Sequence, residues 1–173
     1  MCKHLLQHAW RSAAAVVLVG LLSLPVTVLS ATTDSRPILH VTGKITNADG
    51  VGAAAFDIAG LRNIGVSRVR TSTPWTKGQP VFEGVLVRDV LNAVGARGDT
   101  VVATALNDYR VEIPVSDFLK YPVILAYKMD GERLKVRDKG PLWIIYPQDE
   151  YPELRTKKVQ SRWVWQVKEL VIR

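Results

Sequence analysis

The sequence predicts a mixed α+β domain rich in β-structure, and three observations carry that expectation. Short β-branched or apolar runs recur along the chain between Pro, Gly and Asp-Gly punctuation. Only one segment shows a clear helical face, with Val87, Val90, Leu91 and Val94 at i, i+3, i+4 and i+7. Hydrophobic residues make up 47% of the 173 positions and charged residues 23%, a balance that excludes disorder, a coiled coil and a multi-pass membrane protein. Length argues for one folded domain.

Each element follows from local chemistry. Ile38 to Ile45 alternates in part and reads as a strand, followed by a turn over Asn47–Gly50 signalled by Asp49-Gly50. Ala54 to Ile58 reads as a second strand that leads into a short helix near Asp57–Asn63. Ser67 to Thr73 is alternating and β-branched, and Pro74 breaks it into a loop that lasts to Pro80. Val81 to Val85 is extended, and the helical face beginning at Val87 should stop at Gly95. Thr100–Ala105 and Tyr109–Ile113 form a hairpin around Asn107-Asp108, and Pro114 opens a helix over Val115–Leu119. Val123 to Met129 is an apolar strand ending in the tight-turn pair Asp130-Gly131, with Leu134–Val136 as the answering strand. Leu142 to Tyr146 is a buried strand closed by Pro147, Gln148–Lys158 a long polar loop, and Trp165–Ile172 a final strand.

Residues 1–30 stand apart. They contain no acid, carry Lys3 and Arg11 ahead of an apolar run from Ala13 to Leu24, and end in small residues suited to cleavage after Ser30 or Ala31. This is the pattern of a secretory signal peptide, and the run is short for a membrane span. The expected organisation is a leader over 1–30 and a domain over 31–173, periplasmic or secreted after cleavage. The 23 basic residues less Lys3 and Arg11 leave 21 against 16 acidic side chains, a charge of +5. Such a surface suits anionic lipid or an acidic ligand, whereas nucleic acid is not an expected partner of an exported protein.

Losing the leader removes Cys2, the one cysteine, and leaves His40 as the one histidine. A nucleophilic triad needs a base beside Ser or Cys, and a zinc site needs several Cys or His ligands at short spacing. Neither is available, and no P-loop pattern occurs. His40 sits within a strand pattern and reads as structural. Asp149, Glu150 and Glu153 are of the type that binds calcium or forms a glycosidase pair, but beside Arg155, Lys157 and Lys158 they read as a solvated loop. Basic side chains concentrate in the last third, where Arg forks suit phosphate and Gly140 would admit a backbone N–H close to an anion. Trp163 and Trp165 are suited to stack on a flat ring or to fill the core.

Five stretches carry a family resemblance. They are Phe82 to Leu91; Ala105-Leu106-Asn107-Asp108-Tyr109 with Glu112-Ile113-Pro114; Leu125 to Glu132; Asp138-Lys139-Gly140-Pro141-Leu142-Trp143-Ile144-Ile145-Tyr146-Pro147; and Arg162-Trp163. In this order and spacing the chain from about Gly43 onward resembles the sulfite-oxidase-type molybdopterin-binding oxidoreductase domain, in a short, exported, single-domain form. The resemblance implies that family's α+β fold. In that family a cysteine thiolate binds molybdenum, and an aromatic follows it in some bacterial members. The comparable stretch here runs from Val69 to Trp75, which puts Thr71 at the cysteine position and Trp75 at the aromatic one. A hydroxyl is a hard donor, unlike a soft thiolate. The resemblance names Thr71, Trp75, Asn107, Asp108, Tyr109, Lys139, Gly140 and Arg162 as groove residues. The expected function is therefore a binding module without a molybdenum centre, an accessory or sensory component for a small anionic or aromatic ligand or a periplasmic or membrane partner. The alternative is a molybdopterin-dependent oxidoreductase acting on a small oxo-acid or sulfoxide, with Asn107, Tyr109 and the Lys139/Arg162 region holding pterin and phosphate.

Overall fold

The structure is a computed structural model that describes residues 36–47 and 52–173, all within the unit Thr32–Arg173. The expected leader over residues 1–30 and most of the turn after Asn47 lie outside the described residues. Strand β1 (Leu39–Gly43) is followed by β2 (Ala53–Phe56) and helix α1 (Ile58–Ile64). Asp57 starts α1 because its carboxylate accepts the Gly60 amide at 2.7 Å, satisfying an otherwise orphan donor. Strands β3 (Ser67–Arg70) and β4 (Val81–Leu86) precede α2 (Val87–Ala93), whose Val87, Val90 and Leu91 are buried, as is Val94 just beyond it. Gly95 stops the helix with φ +60°, a conformation that favours glycine.

The hairpin β5 (Thr100–Ala105) and β6 (Arg110–Pro114) turns where expected, with Asp108 at φ +64°, and α3 (Val115–Lys120) begins directly after Pro114. Strand β7 (Ile124–Met129) is followed by β8 (Glu132–Arg133), then β9 (Trp143–Ile145), a 3-10 turn over Pro152–Leu154, α4 (Lys157–Gln160) and β10 (Val167–Ile172).

Two five-stranded sheets result. The first has the order β2-β1-β10-β5-β6, and its central β1–β10 pair is parallel, so the first and last strands of the domain lie side by side. In the second, β3-β4-β7 run antiparallel and the free edge of β7 is shared by β8 and β9. Gly84 allows the β4–β7 approach, since a Cβ there would run into the Leu125 carbonyl. One cluster of buried side chains runs through both sheets, and the segment before β10 ties them together. There Ile144 donates its amide to the Val164 carbonyl at 2.9 Å and Val167 donates to that of Leu142 at 3.0 Å. Among the described residues no helix is long and apolar enough to cross a membrane.

Three expectations are corrected. Strand β3 ends at Arg70, because Thr71 makes one more backbone bond, to the Pro80 carbonyl, and Thr73 then starts a turn by pairing its hydroxyl with that of Thr76 at 2.8 Å. The strand answering β7 is Glu132–Arg133 rather than Leu134–Val136, since Asp130 (φ +51°) and Gly131 (φ +86°) close a two-residue turn that pairs Met129 with Glu132. The stretch Gln148–Lys158 is not plain loop. Pro152 opens the 3-10 turn, and the Thr156 hydroxyl caps α4 by accepting the Val159 amide at 3.2 Å.

Candidate functional site

The turn after β3 is clamped to the segment after β9. Thr71 is fully buried; its hydroxyl donates to the Ser72 carbonyl and accepts the Asp149 amide, both at 3.3 Å. Asp149 in turn accepts the Ser72 amide at 2.6 Å, the Ser72 hydroxyl at 2.7 Å, the Gln79 amide at 2.9 Å and Arg155 Nη2 at 3.0 Å. Burial pushes the Asp149 carboxyl up, but these donors, led by Ser72, outweigh it and hold it below the ordinary carboxylate range. Gln148 completes the clamp by donating to the Ser72 carbonyl at 2.9 Å, which leaves its own buried Oε1 without a partner.

The clamped turn carries Trp75 onto a cluster of indoles. Its ring lies 5.2 Å from Trp165 at 82°, 6.1 Å from Trp163 and 6.2 Å from Trp143 between centroids. Trp143 and Trp163 are buried in the core, whereas Trp75 stays 39% exposed and forms a wall between two clefts. The first cleft, about 270 Å³, is lined by Trp75, Asn107, Tyr109, Gln160, Trp163 and Trp165 together with smaller residues, none of them charged. The second, about 390 Å³, includes Trp75, Met129, Lys135, Asp138 and Lys139. Lys139 Nζ stands 5.2 Å over the Trp165 ring and 5.5 Å over that of Trp143, a cation–π arrangement.

The residues singled out from sequence are thus divided. Trp75, Asn107 and Tyr109 meet at the first cleft, and Lys139 lies across Trp75 in the second. Thr71 lines neither cleft and is spent on the clamp. Asp108 turns away to pair with Lys168 at 2.7 Å, and that bond lowers its pKa. Gly140 does not offer its amide to an anion. That N–H donates to the Lys135 carbonyl at 2.9 Å, and a Cβ on Gly140 would collide with the Leu134 carbonyl. Arg162 is a structural cation, ion-paired with Asp117, which also accepts the Tyr146 hydroxyl at 2.9 Å. Burial and the Asp117 carboxylate keep that phenol protonated at any ordinary pH. His40 is exposed on β1. Asp149 is a structural anchor rather than a solvated loop acid, and Glu153 accepts the Tyr121 hydroxyl at 3.2 Å. Sequence reasoning missed Gln160 and the pairing of Ser72 with Asp149. These contacts span distant segments and leave no local pattern.

The sequence pattern of the oxidoreductase molybdopterin binding domain matches residues 55–164. The chain belongs to this family. Among solved structures it is similar to the sulfane dehydrogenase SoxCD from Paracoccus pantotrophus, with a TM-score of 0.57 and 16% identity. That likeness is one of fold; it covers 78% of this chain and 37% of the other, so this chain spans little more than a third of its relative. No curated protein matches the sequence.

The family's members normally bind molybdopterin, and the donor set tests whether a thiolate-held metal fits this one. Among the described residues there is no thiol, Met129 is the one sulfur, and no three His, Cys, Asp or Glu side chains converge. The Thr71 hydroxyl is already committed as both donor and acceptor. A thiolate-ligated molybdenum does not fit these residues.

Proposed function

We propose that this family member is an exported small-ligand-binding module that works without a molybdenum centre, as an accessory or sensory component. One observation carries the reading: the segment that follows β3 offers no sulfur donor, its Thr71 hydroxyl is spent on a hydrogen-bonded clamp, and the clamped turn presents an indole, Trp75, at an open aromatic cleft. Ligand pockets are typically concave, mostly apolar and furnished with a few polar groups, and the first cleft has that make-up. Its walls are largely pre-formed, since Trp75 is fixed by three neighbouring indoles and by the Thr73 hydroxyl, which accepts its backbone amide at 3.1 Å. Binding there costs little ordering of the protein. Export follows from the leader pattern over residues 1–30.

A fragment titration tests the reading. Neutral aromatic and saccharide fragments are added to the isotope-labelled protein, and the indole N–H signals are followed by NMR. Shifts centred on Trp75, Trp163 and Trp165 are expected. A fragment set that moves none of these three signals at millimolar concentration contradicts the assignment.

A further inference from the structure

We infer that the first cleft binds an uncharged, polyhydroxylated ring with an apolar face, that is, a carbohydrate residue; this rests on the proposed binding role of that cleft. Two features of the cleft point to this class.

The first is charge. No Asp, Glu, Lys or Arg lines the cleft, although charged side chains are abundant in the chain as a whole. An ionic ligand entering this space would give up water and meet no counter-charge, which is strongly unfavourable. The site therefore selects a neutral ligand.

The second is the set of uncharged polar groups beside the exposed indole that no other protein group occupies. Asn107 spends its Oδ1 on the Tyr109 amide at 3.2 Å, which leaves its Nδ2 donor free. Among the described residues neither the Tyr109 hydroxyl nor the Gln160 side-chain amide is bonded to another protein group. Three uncharged polar side chains therefore line the cleft together with an exposed indole. A plain hydrocarbon ring would stack on Trp75 but strip water from these groups without replacing its hydrogen bonds. A pyranose offers both parts: its C–H face lies against the indole, and its hydroxyls replace that water at Asn107 Nδ2, Tyr109 and Gln160.

The arrangement assigns roles. Trp75 is the stacking platform, Trp163 and Trp165 back the apolar surface, and Asn107, Tyr109 and Gln160 discriminate hydroxyl positions. The cleft volume of about 270 Å³ suits one sugar residue rather than a long chain segment.

The test uses protein expressed from the full sequence and three classes of probe. Isothermal titration and saturation-transfer NMR are run with neutral saccharides (methyl glucoside, methyl galactoside, N-acetylglucosamine, maltose and cellobiose), with neutral indole, and with glucuronate. At least one neutral saccharide is expected to bind and shift the Trp75 indole N–H. Glucuronate should bind at least tenfold more weakly than its neutral counterpart. Trp75→Ala should weaken the saccharide at least tenfold. Because that change also removes packing from the indole cluster, Asn107→Ala and Gln160→Ala serve as the second arm, each with a several-fold loss and an unchanged melting temperature. Binding of indole with no saccharide response overturns this inference and leaves the cleft a binding site. Absence of binding by every probe overturns both. Saccharide binding that survives all three substitutions places the sugar elsewhere and overturns the inference.

Discussion

Replacing Asp149 with alanine should cost the domain about 3 kcal/mol of stability, chiefly through the loss of two charge-assisted hydrogen bonds. The bonds from the Ser72 amide (2.6 Å) and hydroxyl (2.7 Å) end on a carboxylate whose side chain is only 15% exposed, so they carry most of this figure. The Arg155 guanidinium is half exposed, and its pair adds about 0–1 kcal/mol. Gln79 is also exposed and adds little. The effect depends on pH with a definite sign. The folded pKa of Asp149 lies below its unfolded value, about 3.9. Its stabilising contribution is thus complete above that value and disappears as pH falls through the lower folded pKa. Urea unfolding of the wild type and Asp149→Ala, followed by far-ultraviolet circular dichroism, measures the difference. The gap should stay flat from pH 7 to about pH 5 and narrow below about pH 4. The same variant should redden tryptophan fluorescence, since the clamp holds the turn that carries Trp75. A gap under about 1 kcal/mol at neutral pH, or one that widens in acid, would refute the reasoning.

Further outcomes follow from other contacts. Arg162→Met leaves the largely enclosed Asp117 carboxylate without its cation and should cost about 2–4 kcal/mol, whereas adding Asp117→Asn, which removes the charge but keeps an acceptor for the Tyr146 hydroxyl, should restore part of that loss; chemical denaturation of the wild type and the single and double variants decides it. Gly140→Ala forces a methyl into the Leu134 carbonyl and should lower stability by about 1–3 kcal/mol, read as a lower urea midpoint. Lys139→Ala removes the cation above Trp143 and Trp165, with a loss of about 0.5–1 kcal/mol, and leaves binding at the first cleft intact in the titration described above. Protein recovered from the periplasm or medium of a secreting host should begin at Ala31 or Thr32 on N-terminal sequencing; an intact Met1 terminus there would contradict export by cleavage.

Much of the fold was legible because local chemistry dictated it. The four-residue apolar face from Val87 to Val94 could be satisfied only by a helix packed on the core, and Asp130-Gly131 supplied both positive φ values that its turn needs. The family resemblance, carried by spaced motifs rather than by any one residue, agreed with the match over residues 55–164. The candidate site was far less legible. Arg162 and Asp117 meet across 45 positions, and Ser72 and Asp149 across 77, so no periodicity announces either pair. A basic residue bound to a part-buried acid looks in sequence like one waiting for an anion. Trp75, Asn107 and Tyr109 stood out through their motifs, yet Gln160 joins them only because the Thr156 cap turns a polar stretch into α4.

The central claim is that this domain keeps the molybdopterin-binding fold while its residues hold no thiolate-bound metal. Its most direct test is elemental analysis by inductively coupled plasma mass spectrometry, paired with fluorescence detection of oxidised pterin, on protein purified from the periplasm of a host that makes the molybdenum cofactor. The account predicts molybdenum and pterin at trace levels relative to protein. One molybdenum per chain, retained through gel filtration, would contradict it.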